Sequence, residues 1–570
     1  MIKLILLVAL LAGCVTASKP TPVPTCPTAE KYCYHDAHLL KRKLFVAILW
    51  RDIPAEEASQ PDGQRDMIQR GQLRELALGM LDSPEFHEQI APKPYAEVIT
   101  QFYRGLIGRE PAGGTIAAEA PFRDALLKVI DSDEFKEKEL LEPLLPAVPE
   151  PTPTPAPEYS KRTGLVKRCD HALCDEQGPF QALGATMFHA ARLYRYDKEK
   201  LERNLKTLAE NKFDYFRALG TVAWAEREID PKWSDYEETI RGVTDLAYDK
   251  YGLRVQWTIF GDAQKIVPSA EERRKVVEMF LRIANEKPHK VILLEVANEY
   301  YQNGFSGDEG IKQIRSFAKL LRDGSDVLVA VSAPRGGVDG EREALYGGSV
   351  ADVLTFHTER AVFSPDNYWR PVRQPWGEPN FDGVLGSNNE PIGPGSSVNC
   401  DQEPLRLIAQ AVVTSISKVP FYVFHSRAGV GSNSELCGLS GNMDLSQMPG
   451  IANMGIIKSY IPSDLSNWTK HNHYWPGNPF RVYGDGKQDH MTTDGAKSGC
   501  MRNHAAVRGN DFLVIPTGIK KTCEMEPKTD VEFDIIDLVT GEVIEHKQLK
   551  AGQRFGISGR ESVLLKGQRK

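Results

Sequence analysis

Short apolar runs alternate with amphipathic stretches between residues 160 and 484. The apolar runs have the length and residue types of buried strands, and the stretches between them have the 3.6-residue period of surface helices, as at 197–211, 235–251, 270–286 and 310–323. Eight strands are predicted, at 180–188, 213–219, 253–260, 291–297, 327–332, 353–357, 383–386 and 421–425. Eight strands joined by helices predict a (β/α)8 TIM barrel, whose functional residues gather at the carboxyl ends of the strands.

Two further patterns flank this segment and predict a multidomain protein. Residues 34–145 have helical periodicity and contain a duplication: LFVAILWRDIP at 44–54 matches QFYRGLIGREP at 101–111, and DSPEF at 82–86 matches DSDEF at 131–135. Residues 485–570 alternate apolar and polar positions between turns and predict a small antiparallel, sandwich-like β-domain. The Pro-rich stretch 146–159 predicts an extended linker before the barrel. The N-terminal domain is therefore expected to be all-α.

The first thirteen residues predict a targeting signal. Lys3 precedes an apolar run at 4–11, which is too short for the roughly 20 residues that cross a bilayer. Leu11-Ala12-Gly13-Cys14 resembles the lipobox of bacterial lipoproteins, and this resemblance implies cleavage before Cys14 and lipidation of that residue. Residues 14–33 would then tether an exported protein to the bacterial cell envelope, in the periplasm or at the cell surface. The alternative is a plain signal peptide.

The composition and charge of the chain limit the kinds of binding partner that are expected. The 570 residues are 41% hydrophobic and 26% charged, with a formal net charge of -7, which is typical of a soluble globular protein. No block of Lys and Arg stands out in the sequence, so no nucleic-acid partner is expected.

The cysteines predict disulfides rather than a metal site. Nine are present, and without Cys14 the other eight form four sequence-local couples: Cys26 and Cys33, Cys169 and Cys174, Cys400 and Cys437, and Cys500 and Cys523. Local pairing is the simplest of the 105 connectivities that eight cysteines allow. Because C-x-x-C and H-E-x-x-H spacings are absent from the sequence, neither a metal nor an organic cofactor is expected.

Polar residues stand at the ends of several predicted barrel strands. Asn298 and Glu299 end the run VILLEVANEY after strand four, and Asn389-Glu390 follows strand seven. Arg217 lies on strand two, while His357 and His425 close strands six and eight: the side chains at these five places are expected at one rim of the barrel.

This constellation resembles the clan A glycoside hydrolases, and family 5 in particular. The resemblance implies a retaining enzyme with Glu299 as general acid/base, Glu390 as nucleophile and Asn298 as a ligand of the sugar 2-hydroxyl. It also implies that Arg217 holds Glu390 ionised and that His357 lines the site. A retaining mechanism needs two carboxylates about 5–5.5 Å apart, one protonated and one ionised.

Several assignments within the site have alternatives. Residues 383–386 make a poor strand, so Glu359 and Glu378 compete with Glu390 for the nucleophile. His357 and His425 are substrate-binding candidates that structural roles would explain equally well. The candidate sugar-stacking aromatics, any of which is also a plausible core residue, are Trp224, Trp257, Tyr300, Tyr301, Trp369 and Trp376, and of these Tyr300, Tyr301 and Trp376 fall in expected rim loops.

The sequence thus predicts an anchored glycoside hydrolase that cleaves a polysaccharide or glycoconjugate. The alternative from another class is a cell-surface carbohydrate-binding or adhesion protein on an inactive barrel, and transglycosylation would share the covalent intermediate. The FYRGLIGREP and SxEF signatures resemble a helical domain related to phycobilisome-linker repeats. That resemblance implies an attachment role toward a protein or cell-envelope partner.

Overall fold

The structure is a computed structural model, and the chain divides into two compact units, 1–156 and 157–570. It describes residues 37–49, 73–107, 111, 121–135, 159–335, 340–360, 368–377, 384–396, 400–432, 434–472, 475–484, 487–488, 501–521 and 523–570. In these ranges, no helix has the length and hydropathy needed to cross a membrane.

The N-terminal unit is helical. In the part of it that the structure describes, the α-helices are Ala37–Leu49, Leu73–Leu81, Tyr95–Leu106 and Phe122–Ile130, with one π-helical turn at Phe86–Ile90. The duplicated sequence has the same local structure twice: the hydroxyl of Ser83 accepts a hydrogen bond from the Phe86 amide, and the hydroxyl of Ser132 accepts one from the Phe135 amide, both at 3.2 Å. Each serine thereby satisfies an amide of the following helical turn.

The second unit contains a closed barrel of eight parallel strands, as predicted. In chain order the barrel strands are Ala182–Thr186, Tyr215–Thr221, Arg254–Phe260, Val291–Ala297, Val329–Ala330, Val353–His357, Leu385–Glu390 and Phe421–Phe424. The helices around and after them are Ala190–Tyr196, Lys198–Glu210, Tyr236–Tyr251, Ala263–Ile266, Ala270–Glu286, Gly307–Gly324, Glu341–Tyr346, Arg370–Gly377, Pro404–Ile416, Arg427–Val430, Ile451–Met454 and Ile457–Tyr460, with short 3-10 turns at Leu445–Gln447 and Leu465–Asn467.

The interior of the barrel is layered. At the amino ends of the strands it is filled by an apolar cluster that includes Tyr215, Leu293, Leu385 and Phe421. A three-stranded antiparallel sheet precedes the first barrel strand, and its Phe180 packs into the same cluster. Its strands are Lys167–Cys169, Ala172–Asp175 and Gly178–Phe180. Because this apolar layer closes the amino end, the polar interior lies nearer the carboxyl ends of the strands.

Two antiparallel sheets form the C-terminal part, also as predicted. The six-stranded sheet has the order Thr469–Asn472, Arg502–Arg508, Asp511–Thr517, Leu564–Arg569, Val531–Ile536, Val543–Leu549, and the four-stranded sheet the order Lys487–Gln488, Phe480–Gly484, Cys523–Pro527, Phe555–Gly556. Phe480, Phe512 and Phe533 pack between the sheets. Thr469–Asn472 and Phe480–Gly484 fall in the segment 160–484 that the sequence assigned to the barrel, yet they pair with C-terminal strands.

Two of the predicted disulfides are confirmed. Cys169 bonds to Cys174 within the three-stranded sheet, and Cys400 bonds to Cys437 between the segments that follow strands seven and eight. Cys523 is also disulfide-bonded, but its expected partner Cys500 lies outside the described residues. The same holds for the residues of the predicted leader and tether, Cys14, Cys26 and Cys33.

Candidate active site

Strand four delivers three polar residues to the site. Leu293 belongs to the apolar cluster at the base of the barrel, and two positions later Glu295 contacts Arg217 of strand two, as the two-residue period of a strand requires. The chain then turns, and Glu299 adopts a left-handed backbone with φ of 36°. Its neighbours hold this turn: the Asn303 side chain donates to the Asn298 carbonyl at 2.5 Å, and the Tyr300 amide donates to the Ser332 hydroxyl at 3.0 Å. Strain of this kind is concentrated at functional sites.

Strand seven reaches the site through a β-bulge. Asn388 pairs with Phe356 of strand six and Glu390 pairs with His357, so Asn389 is an extra residue between them. The Asn388 side chain donates to Thr414 on a surrounding helix, whereas Asn389 donates to the buried Glu295 inside the barrel. The bulge therefore lets Asn389 and Glu390, adjacent in sequence, both face the interior.

The two predicted carboxylates meet at the carboxyl ends of the strands. One carboxylate oxygen of Glu299, one of Glu390 and a ring nitrogen of His357 all lie within 4.8 Å of one another. His357 Nδ1 lies 2.9 Å from Glu299 Oε1 and 3.6 Å from Glu390 Oε2. The distance between the Glu299 and Glu390 carboxylates is therefore near the 5–5.5 Å of retaining glycosidases and well short of the roughly 6.5–9.5 Å of inverting ones.

The two carboxylates have different surroundings. The Glu299 side chain is 22% exposed, whereas that of Glu390 is 7% exposed and has a guanidinium group on each oxygen. Arg217 Nη1 donates to Oε1 at 3.0 Å and Arg360 Nη1 donates to Oε2 at 2.9 Å. Burial by itself raises the pKa of Glu390, but the positive charges of His357, His425, Arg360 and Arg217 outweigh it and hold the pKa well below the usual value.

His425 is a neutral neighbour at physiological pH. Burial lowers the pKa of His425 to about 3, against the opposing effect of the Glu390 charge. The positive charges of Arg217 and Arg360, in contrast, are permanent at neutral pH and lie directly against Glu390. The Thr186 hydroxyl lies 2.9 Å from His425 Nδ1, and Nε2 lies 3.9 Å from Glu390 Oε2. This arrangement directs Nε2 of His425 toward the Glu390 carboxylate.

Buried histidines predict loss of stability in mild acid. Burial lowers the pKa of His189 as well as His425 to about 3, so both stay neutral in the folded chain while the unfolded chain binds protons below about pH 6.5. The free energy of unfolding should then fall by up to about 1.4 kcal/mol per pH unit for each residue as pH decreases toward 3. Guanidinium unfolding at pH 7.5 and pH 5.0 measures this.

A His425→Gln variant is the control for the acid measurement, since it should lose less stability between the two pH values than the parent. The exposed His546 has the opposite sign, because its pKa is raised by Asp534 and its stabilisation is lost as pH increases. It is present in both proteins and cancels from the difference. Equal pH dependence in parent and variant would contradict a neutral His425.

Arg217 is the central residue of the polar cluster that surrounds Glu299 and Glu390 at the carboxyl ends of the strands. Its fully buried guanidinium donates to Glu390 at 3.0 Å, to Glu295 at 2.9 Å, to Thr258 at 3.1 Å and to Asn298 Oδ1 at 2.8 Å. Because Asn298 Oδ1 accepts from Arg217, the amide nitrogen of Asn298 is left as its hydrogen-bond donor. The sequence predicted Arg217 and Asn298 for this rim, and the structure joins them directly.

Two charged residues of the cluster were not predicted from the sequence. Glu295 lies inside the run VILLEVANEY, where a charged residue in an otherwise apolar strand was an available signal. Arg360 follows strand six in the sequence FHTER, and nothing in that sequence indicates that it reaches strand seven. The contacts that both residues make become visible only when the strands are placed around the barrel.

The structure does not bring three of the predicted aromatic platforms, Trp257, Tyr300 and Trp376, to the carboxylates. Trp257 is fully buried, with its indole N–H donating to Thr244 on a helix outside the barrel. Tyr300 is 2% exposed, and its hydroxyl donates to Glu341. Trp376 packs against His504 of the six-stranded sheet, with ring centroids 4.7 Å apart. Each of these three side chains packs against other parts of the fold, because burying a large aromatic ring stabilises the folded state. Tyr301, beside Glu299, is partly exposed and is the better-placed ring.

Of the two rivals of Glu390, the one that the structure describes, Glu359, is paired elsewhere. The Glu359 carboxylate pairs with Arg370 at 2.7 Å and is 38% exposed, and Glu378 lies outside the described residues. Glu299, His357 and Glu390 have the donor atoms of a metal site. However, a cation there would face the guanidinium groups of Arg217 and Arg360, which already neutralise Glu390. The donor set therefore fits a divalent ion poorly.

Comparison with known proteins adds the class of fold. No protein family model matches the sequence, and no curated protein is similar to it. The chain is similar to the structure of a glycoside hydrolase, with a TM-score of 0.52, 13% identity, and 71% of this chain and 97% of the other covered. It is also similar to a family 5 glycoside hydrolase from Bacteroides vulgatus, with a TM-score of 0.52, 12% identity, and 71% and 94% covered. The barrel thus has the (β/α)8 fold of family 5-like glycoside hydrolases.

Proposed function

We propose that the protein is a retaining glycoside hydrolase that cleaves a polysaccharide or glycoconjugate by double displacement. The observation that carries this proposal is the separation of the two carboxylates, whose nearest oxygens lie within 4.8 Å of each other at the carboxyl ends of the barrel strands. The fold supports it, because barrels of this class bind and react at that end.

In the first half-reaction, Glu299 acts as the acid and Glu390 as the nucleophile. A Glu390 oxygen attacks the anomeric carbon, the glycosidic C–O bond breaks, and the Glu299 proton passes to the leaving oxygen, which gives a glycosyl ester on Glu390. In the second half-reaction, Glu299 takes a proton from water as the water oxygen attacks the same carbon, and Glu390 leaves as a carboxylate. The different environments of the two carboxylates support this division of roles.

The neighbours of Glu299 and Glu390 have supporting roles. Asn298 is placed to donate its amide to the sugar 2-hydroxyl, since Arg217 occupies its oxygen. Arg217 and Arg360 keep Glu390 ionised before attack. His357, with Nδ1 at 2.9 Å from Glu299, orients the acid and lines the sugar site, and His425 Nε2 presents a neutral polar group beside Glu390.

The stereochemistry of the product tests the mechanism. The full chain would be incubated with a panel of soluble plant and microbial glycans, and the anomer formed first would be identified by proton NMR. Retention of configuration is expected. Inversion would refute double displacement, and binding without cleavage across the panel would favour the carbohydrate-binding alternative. Products longer than the substrate, still with retention, would identify transglycosylation.

The location and attachment of the enzyme are also part of the proposal. The Leu11-Ala12-Gly13-Cys14 sequence supports lipidation at Cys14 and export to the bacterial cell envelope. The helical unit would then contact a protein or another envelope component. Fractionation of cells that produce a Cys14→Ser variant measures this: the variant should leave the membrane fraction, and its retention there would refute the anchor.

A further inference from the structure

Glu295 is a buried carboxylate one layer beneath the reacting pair. It is fully buried on strand four, and hydrogen-bond donors from three other strands reach it. Oε2 accepts from Arg217 at 2.9 Å and from Thr258 at 2.6 Å, and Oε1 accepts from Asn389 at 2.9 Å. Gln256 adds a longer contact of 3.3 Å to Oε2. Moving a carboxylate out of water is unfavourable, so a buried carboxylate is found where it is paired and fully hydrogen-bonded, as here.

These contacts connect Glu295 to Glu390 twice. Arg217 spans the two carboxylates, with Nη2 on Glu295 and Nη1 on Glu390. Asn389, the extra residue of the strand-seven bulge, donates to Glu295 and immediately precedes Glu390. Glu295 itself is fully buried and accepts hydrogen bonds from both Arg217 and Asn389, so any effect on the reaction passes through these two neighbours.

The charge of Arg217 is needed differently at each stage of double displacement. In the free enzyme Arg217 is shared between two carboxylates. In the glycosyl ester Glu390 is neutral, and Glu295 is the carboxylate that still pairs with the buried guanidinium. Glu295 thereby keeps Arg217 in place through both half-reactions, and it limits how strongly Arg217 binds Glu390.

We propose that Glu295 is a positioning residue that sets the reactivity of Glu390 by holding Arg217 and Asn389. This inference rests on the proposed retaining mechanism. Without the Glu295 charge, Arg217 would bind Glu390 alone, which makes Glu390 a weaker nucleophile and a better leaving group. Loss of the charge should therefore slow formation of the glycosyl ester and leave its hydrolysis unchanged or faster.

Pre-steady-state kinetics of the isosteric Glu295→Gln variant of the full chain measures the two steps separately, with an aryl glycoside of the sugar identified in the glycan panel. The rate constant for aryl release should fall on the order of tenfold or more, and that for ester hydrolysis should not fall. The acid limb of kcat/KM should move to lower pH. The charged and titratable groups facing Glu390 in the described residues are Arg217, Glu299, His357, Arg360 and His425, and none of these is changed.

Thr258→Val is the second variant and keeps the charge. It removes the 2.6 Å hydrogen bond to Glu295 and also the 3.1 Å hydrogen bond that Thr258 accepts from Arg217 Nε. Glu295 Oε2, 3.1 Å from the same Nε, is then the acceptor left for that group, so Glu295 should bind Arg217 more tightly and the acid limb should move to higher pH, opposite to Glu295→Gln. It also tests the inference if Glu295→Gln does not fold. Equal falls in both rate constants with an unshifted pH profile, or no shift in Thr258→Val, would overturn it. If instead the parent protein shows no burst of aryl release and its product has inverted configuration, the retaining mechanism is refuted, and this inference with it.

Discussion

Glu390→Gln is expected to lower kcat/KM by at least about 10⁴-fold, because it removes the proposed nucleophile. The amide keeps the shape of the side chain but is a very poor nucleophile. It also leaves Arg217 and Arg360 without the carboxylate that they share, so the folded state of the variant is to be checked by circular dichroism and thermal unfolding. Initial rates on the best glycan of the panel give the loss.

Chemical rescue separates a lost nucleophile from a damaged site. In Glu390→Gly, azide can enter the space of the missing carboxylate and attack the anomeric carbon of an activated aryl glycoside. The product should be a glycosyl azide of inverted configuration, with activity that depends on azide concentration. Glu359→Gln is the matched control, since its carboxylate pairs with Arg370 away from Glu299, and it should retain activity. Full activity in Glu390→Gln would remove Glu390 from the nucleophile role.

Glu299→Gln is expected to have the second-largest effect, with a selective loss on substrates whose leaving group needs a proton. General acid–base catalysis contributes about 10²- to 10⁴-fold, so kcat/KM for an unactivated glycan should fall by that order. An aryl glycoside with an acidic phenol leaves without proton donation, and its first step should be affected far less. Steady-state kinetics on the two substrates measures the difference in one variant.

Measuring the Glu299→Gln variant on two substrates with different leaving groups provides an internal control. A variant with a damaged fold would lose both substrates to the same degree, whereas loss of the acid alone separates them. Azide should also accelerate turnover of the ester, because it needs no general base, and the product should then have retained configuration. Equal losses on both substrates, without azide acceleration, would exclude Glu299 as the acid/base.

The hydrophobic pattern was sufficient for the architecture of the barrel. Each of the eight predicted strands lies in the closed sheet, and strands four and six have the predicted bounds, Val291–Ala297 and Val353–His357. Such runs are long, apolar and separated by amphipathic helices, and that alternation permits few topologies other than a parallel sheet. Two disulfides followed from sequence proximity in the same way.

The seventh strand shows where local pattern fails. The sequence placed it at 383–386 with Asn389-Glu390 beyond its end, but the strand is Leu385–Glu390 and has a bulge at Asn389. Its polar residues SNNE do not look like a strand, because they are stabilised by partners from distant positions: Glu295, Arg217 and Arg360. The same limit applies to Trp257, Tyr300 and Trp376, since whether an aromatic ring faces a cleft or a helix depends on packing.

The sequence by itself determined which elements form and that Asn298-Glu299 ends a buried strand, because periodicity and strand ends are local properties of the chain. Only the tertiary structure decided which second carboxylate faces Glu299 and how it is charged. That depends on a bulge, on two arginines from strand two and the end of strand six, and on Glu295 beneath them. The run VILLEVANEY contains both kinds of information, with Glu299 readable from its position and Glu295 understandable only from what surrounds it.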